Sequence, residues 1–175
     1  CPQFHLSLQS GCDTVLARMK RRYTAQEYLR AVELLRQYLP GCALTTDVLC
    51  GFPGETDEEA AETLRFVEKA AFARIHVFPY SRRSGTLADR MPNQVPQAVK
   101  NRRAQELIAL GNKLEASYAK ELIGQDAEVL FEQPAGDGLC EGYTKTYVRV
   151  RAQAQPGELK TVRIARADGA LLFGE

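Results

Sequence analysis

Three short stretches set side chains able to bind a small molecule directly behind apolar runs. In GFPGET (Gly51–Thr56), Gly51 and Gly54 permit positive φ and close approach by a ligand. Pro53 rigidifies that turn beside Phe52, and the backbone N–H groups opening the next helix are expected to point outward. In LQSG (Leu8–Gly11), the amide of Gln9 and the hydroxyl of Ser10 suit a ribose, a carboxylate or an amine. In FPYS (Phe78–Ser81), the rings of Phe78 and Tyr80 suit the two faces of a purine. Each stretch has a plainer reading: a capped strand-to-helix turn, a local turn cap, or core packing. Asp47 stands inside an apolar run, where a carboxylate without a partner is costly, so it faces either a ligand or a structural partner. His5 and His76 have no metal-ligand partner at usable spacing and read as satisfied core or surface histidines.

The elements that must position these residues follow from the pattern. FHLSL (Phe4–Leu8) alternates as a strand does. Thr24 and Glu27 have capping-box spacing ahead of apolar positions at helical intervals, and Pro40-Gly41 stops that helix. A second strand spans about Ala43–Cys50, Thr56 and Glu59 form a second capping box, and a third strand covers about Arg74–Tyr80. Strand, helix, strand, helix, strand with short connections implies parallel strands and right-handed crossovers. A loop, SRRSGTLADRMP, leads to Pro96 at an expected N1 position and a long helix to about Leu122, with Gly124 as its cap. From about Asp126 the runs DAEVLFE, GYTKTYVRVRA, KTVRIAR and ALLFG, separated by Gly- and Pro-containing turns, predict a small antiparallel all-β module. The expected division is 1–122 and 123–175.

In that module the basic side chains of Lys145, Arg149, Arg151, Lys160 and Arg163 are interleaved with Tyr143 and Tyr147, which suits phosphate contact and base stacking. Asp126, Glu128, Glu132, Asp137 and Glu141 dilute the positive field, so composition leaves RNA binding undecided. The 175 residues carry 23 Lys and Arg against 22 Asp and Glu, which gives no strong overall pull toward nucleic acid. RMKRR and KNRR are locally basic and read as solvated helix faces. No apolar run approaches the roughly 20 residues of a membrane span. The five cysteines include no C-x-x-C pair, so neither a disulfide framework nor a zinc site follows, and reduced thiols in the cytoplasm are expected. The chain opens at Cys1 without a methionine and enters a strand-like run almost at once, which reads as a piece of a longer protein.

Taken in order, HLSLQSG, RMKRRYT, TTDVLCGFPGET and HVFPYSRRSGTLADRMPNQV resemble the radical S-adenosylmethionine methylthiotransferases. The terminal module, with EGYTKTYVRV, resembles a TRAM domain. HVFPYS followed by R-x-G-T-x-A is most similar to the MtaB type, which acts on N6-threonylcarbamoyladenosine beside the tRNA anticodon. Ser84 and Leu87 stand where prolines are frequent in that loop. Sister types act on isopentenyladenosine in tRNA or on a ribosomal protein, and a non-catalytic RNA-binding module is a further alternative.

The resemblance implies the C-terminal half of a (β/α)6 partial barrel, with S-adenosylmethionine across the C-terminal strand edges and tRNA on the TRAM domain. It carries Gln9 and Ser10 to the ribose or methionine portion. Arg21, in the M-x-R-x-Y run Met19–Tyr23, goes to the carboxylate. Asp47 and the backbone of Gly51, Phe52 and Pro53 would face the cofactor, with Phe78 and Tyr80 near the adenine. The RNA-facing residues would be Lys145, Tyr147, Arg149, Arg151, Lys160 and Arg163. The family also uses two 4Fe-4S clusters, one held by C-x-x-x-C-x-x-C and one by cysteines of an N-terminal domain. Neither set is present in these residues, so the N-terminal half is an expected partner and this chain alone is expected to be inactive.

Overall fold

The computed structural model describes residues 1–136 and 138–175; Asp137, counted above among the acidic residues, lies outside them. The chain begins with strand β1 (Gln3–His5), helices α1 (Asp13–Arg18) and α2 (Ala25–Tyr38), strand β2 (Ala43–Cys50), helix α3 (Asp57–Ala70) and strand β3 (Arg74–Pro79). The three strands form a parallel sheet in the order β1-β2-β3, with Phe4 beside Leu44 and Asp47 beside His76. Both capping boxes form. The Thr24 hydroxyl accepts the Glu27 N–H at 3.1 Å while Glu27 accepts the Thr24 N–H at 2.8 Å. Thr56 and Glu59 do the same at 3.2 and 3.0 Å. Each box satisfies two of the N–H groups that a helix start leaves bare.

Alternation sorts the sheet into two unlike faces. Phe4, Leu6, Leu8, Leu44, Val48, Ile75 and Val77 pack under the helices, against Tyr28, Val32, Val67, Phe72, Ala104 and Leu107. Burying Phe72 to 1% exposure stabilises by roughly 1.5–3 kcal/mol. The opposite face carries a polar ladder. Gln3 donates to the Thr45 hydroxyl at 3.0 Å, and the His5 ring meets Thr45 at 3.0 Å and Asp47 at 3.1 Å.

Two local features differ from the pattern of the sequence. The ladder of β1 stops at His5, not Leu8, because the Leu8 N–H turns to the Thr46 hydroxyl at 3.0 Å instead of a main-chain carbonyl. Pairing resumes only as a bridge between Gln9 and Val48. The stretch between FHLSL and Thr24, to which the pattern assigns no helix, contains α1, whose six residues bury only Val15 and Leu16 and so show no helical period.

After β3 come a one-turn helix α4 (Leu87–Arg90), inside the stretch read as loop, and the long helix α5 (Gln97–Glu121). Pro96 is its N-cap and not its first helical residue. At Gly111 the helix lies so close to β3 that a Cβ would stand 2.6 Å from Ile75. Its far end contributes Ala119 to a second apolar core, built from Val129, Phe131, Val150, Val162, Ile164 and Leu172.

That core fills a closed barrel of β4 (Asp126–Gly136), β5 (Leu139–Thr144), β6 (Arg149–Ala152), β7 (Leu159–Asp168) and β8 (Leu171–Gly174), in the order β4-β5-β6-β8-β7. Closure needs one parallel pairing, Val150 beside Leu172, in what the alternation presented as a wholly antiparallel module. Nor is GYTKTYVRVRA one strand. It bends after Thr144, with Tyr147 at φ 61°, and resumes at Arg149 as the second arm of a hairpin.

Candidate functional site

The C-terminal ends of the three strands converge on the Gly51–Thr56 corner. Gly51 and Gly54 take φ of 73° and 76°, as the sequence requires of a turn this tight. Three N–H groups of the corner itself are already engaged. Gly51 donates to the Glu55 carboxylate at 2.6 Å, Gly54 to the Asn93 carbonyl at 2.8 Å and Glu55 to the Phe52 carbonyl at 2.9 Å. Those three amides are therefore not open to a ligand, and the corner offers it side chains and shape. Phe52 meets Tyr80 edge to face, with ring centroids 5.5 Å apart, in a small core with Cys12 and Val15. The Tyr80 hydroxyl is buried with no hydrogen-bond partner among the described residues.

Beside this corner opens a cavity of about 580 Å³, whose walls include Gln9, Arg21, Leu49, Phe52, Arg90 and Met91. Gln9 is held there by its main chain. At φ 67° its N–H donates to Asp47 at 2.9 Å and its carbonyl accepts from Leu49 at 2.8 Å. Arg21 reaches it from the turn after α1. Tyr23, the last residue of the M-x-R-x-Y run, closes that turn onto the segment that follows β1 by donating to the carbonyls of Ser7 at 3.0 Å and Leu8 at 2.9 Å. Lys20, Arg21 and Arg90 make no ion pair among the described residues, and no carboxylate lines the cavity. A cation-rich mouth over an apolar wall suits a ligand with one anionic end and one flat apolar end.

The other residues singled out from the sequence are placed differently. Ser10 is fully buried, its hydroxyl 3.0 Å from that of Thr63 and accepting the Cys12 N–H at 3.2 Å, so it caps the turn that follows it. Gly51, Pro53 and Tyr80 are buried. Asp47 lies on the polar sheet face, bonded to His5 and to the Ser7 hydroxyl at 3.2 Å. Phe78 is half-exposed. The structure thus gathers Gln9, Arg21 and Phe52 around one cavity.

The sequence reading missed the layer beneath the corner. KNRR is only half a solvated face: Asn101 and Arg102 are exposed, but Lys100 and Arg103 are 6% and 5% exposed, and Arg103 pairs with Glu55 at 2.7 Å. The signal was present, because Lys100, Arg103, Ala104, Leu107 and Gly111 fall on one helical stripe and all are buried. Burial pushes the Glu55 carboxyl up from its ordinary value, against the opposing Gly51 N–H and Arg103. Burial also pushes the Cys50 thiol up to about 11 and raises Cys12, so both are protonated packing groups at neutral pH. The five cysteines are free, and no three potential metal ligands gather among the described residues.

On the barrel, Lys145, Tyr147 and Arg149 come together at the β5–β6 turn. Tyr147 is 63% exposed and borders two hollows. One, of about 230 Å³, faces His5, His76 and Arg149; the other, of about 580 Å³, faces Tyr143, Lys145 and Leu159. Lys145 is paired with Glu128 at 2.8 Å, while Arg149 and Arg151 share Glu141 at 3.7 and 2.9 Å. Lys160 donates to the Gln153 carbonyl at 2.8 Å and Arg163 to Asp126 at 3.3 Å, away from that turn.

Residues 1–67 match the Radical SAM superfamily. The chain is 40% identical over 170 residues to a threonylcarbamoyladenosine tRNA methylthiotransferase MtaB of Bacillus subtilis, covering 93% of this chain and 38% of that protein. It is 40% identical over 165 residues to the protein of the same name from Thermotoga maritima, covering 94% and 38%. It is 38% identical over 179 residues to a tRNA-2-methylthio-N(6)-dimethylallyladenosine synthase of Caldicellulosiruptor saccharolyticus, covering 100% and 38%. The chain therefore spans a little over a third of the length of these relatives.

Proposed function

Because the chain belongs to the radical S-adenosylmethionine methylthiotransferases, we propose that it supplies one wall of that cofactor's site and a tRNA-binding surface of such an enzyme. The observation that carries this reading is the meeting of Gln9, Arg21 and Phe52 around one cavity at the C-terminal strand edge. Those residues fit the cofactor's two ends. Arg21 would pair with its carboxylate, Gln9 would bond a hydroxyl, and Phe52 with Leu49 would cover the nucleoside, in a place where parallel sheets bind ligands. The cofactor, when bound, supplies radical chemistry; these side chains orient it and keep water from its apolar face. The 175 residues contain no C-x-x-x-C-x-x-C run, so they do not fit an iron–sulfur cluster, and the chain by itself is proposed to be inactive.

The proposal extends to the architecture: residues 1–122 as half of a (β/α)6 partial barrel and 123–175 as a TRAM domain, in a cytoplasmic enzyme. The substrate is assigned as N6-threonylcarbamoyladenosine beside the anticodon, on the loop HVFPYS-R-x-G-T-x-A (R-x-G-T-x-A being Arg83–Ala88). The dimethylallyladenosine synthase name carried by other relatives favours a second reading, isopentenyladenosine in tRNA. Mass spectrometry of tRNA nucleosides from a deletion strain separates the two. Loss of the methylthio group from threonylcarbamoyladenosine supports the first assignment, loss from isopentenyladenosine the second, and no loss from either rejects both.

A further inference from the structure

Two buried cations on α5 make contacts with the Gly51–Glu55 corner that reach beyond packing. The Lys100 ammonium donates to the Tyr80 carbonyl at 2.9 Å and stands 5.3 Å from the centroid of the Tyr80 ring. Its methylene stem fills the space over Gly51, where a Cβ would come within 2.4 Å of Lys100 Cγ. Arg103 donates to the Glu55 carboxylate at 2.7 Å, to the Glu55 carbonyl at 3.1 Å and to Asp57 at 2.9 Å. The same Glu55 oxygen accepts the Gly51 N–H at 2.6 Å. Two continuous chains of contact result. One runs from Arg103 through Glu55 to Gly51; the other runs from Lys100 to Tyr80 and, ring against ring, to Phe52.

Burying two cations is an expensive way to attach a helix, since desolvation takes back most of the pairing energy and apolar side chains would serve as well. What charge adds at this place is direction. A guanidinium fork and an ammonium fix the atoms they bind, whereas a leucine leaves them free to slide. We infer that Lys100 and Arg103 are positioning residues, which hold the Gly51–Glu55 backbone and the Tyr80 carbonyl so that Phe52 keeps its place in the cavity wall. Neither lines the cavity itself. The inference rests on the reading of that cavity as the cofactor's.

The test uses the full-length protein that carries these residues, with amide hydrogen exchange and S-adenosylmethionine binding measured side by side. Lys100→Met keeps the stem over Gly51 and deletes the ammonium. Exchange of a peptide spanning 50–56 should quicken about ten-fold and the cofactor Kd rise about five-fold or more, with exchange in β4–β8 unchanged. Arg103→Lys keeps the charge without the fork and should fall between the parent and Arg103→Met. Unchanged exchange at 50–56, faster exchange there with unchanged Kd, or an equal quickening in the barrel each overturns the inference. A parent protein that binds no S-adenosylmethionine would instead overturn the reading of the cavity, and exchange at 50–56 would still decide whether the two cations position the corner.

Discussion

Arg18 grips Glu59 fork to fork between α1 and α3, with Nη1–Oε1 at 2.9 Å and Nη2–Oε2 at 2.5 Å. Glu59 also accepts the Thr14 hydroxyl at 2.5 Å and closes the capping box of α3. One carboxylate therefore fastens the six-residue α1, which carries part of the cavity wall, to the start of a helix that packs on the sheet.

Those bonds to Arg18, opposed by partial burial, hold the Glu59 carboxyl at about 2, below its ordinary value of 4.5. A depressed folded value means that the stabilisation is present above about pH 4.5 and is lost as pH falls toward 2. The urea midpoint of the parent should drop more steeply between pH 5 and pH 3 than that of Glu59→Gln. At pH 7 the variant should be less stable by about 1–3 kcal/mol. Equal slopes in acid would count against the pairing.

Gly51→Ala combines a φ of 73° with a Cβ 2.4 Å from Lys100, so it should cost about 2–4 kcal/mol. Gly54 has φ 76° but its nearest neighbour is 3.8 Å away, so Gly54→Ala should cost only about 1–2 kcal/mol. Denaturant unfolding reads the difference, and removing the Lys100 stem with Lys100→Ala should shrink it. A difference that persists would mean that the stem is not the obstacle.

In the barrel, a Cβ at Gly142 would stand 2.1 Å from the Leu130 carbonyl oxygen. Backbone cannot rotate away as a side chain can, so Gly142→Ala should cost about 3 kcal/mol or more. A circular-dichroism melt within a degree of the parent would refute this contact.

For tRNA binding by the proposed enzyme, Tyr147→Ala should weaken affinity by roughly 1–3 kcal/mol, the loss of one stacked base. Lys145→Ala should lose less, because its charge is already shared with Glu128. Lys160→Ala and Arg163→Ala, whose side chains are turned to Gln153 and Asp126, should change little. Filter binding of an anticodon stem-loop ranks the four, and an equal loss from Lys160→Ala would break the ranking.

What could be read in the amino-acid order was local and periodic. Thr24 with Glu27, and Thr56 with Glu59, announce helix starts because capping needs only three residues of spacing. The positive φ at Gly51 and Gly54 follows from the turn chemistry. Asp47 shows the limit: its place in a strand was legible, but its partners His5 and Ser7 come from 42 and 40 residues away. The same holds for Glu55 with Arg103, 48 residues apart. Lys100 and Arg103 carry the signature of surface charge, yet they lie on the buried stripe of α5 with Ala104, Leu107 and Gly111. The bend at Tyr147 escaped notice because no glycine or proline marks it, and the parallel β6–β8 pair because alternation carries no strand direction.

The pairing that closes the barrel also dictates when it can close. Strand β8 sits between β6 and β7, so both keep an unpaired row of N–H and C=O groups until Leu171–Gly174 has been synthesised. During translation β5 and β7 can pair onto β4 and β6 onto β5, but the ring stays open to a neighbouring nascent chain. The four residues of β8 thus decide whether the facing edges of β6 and β7 stay bare.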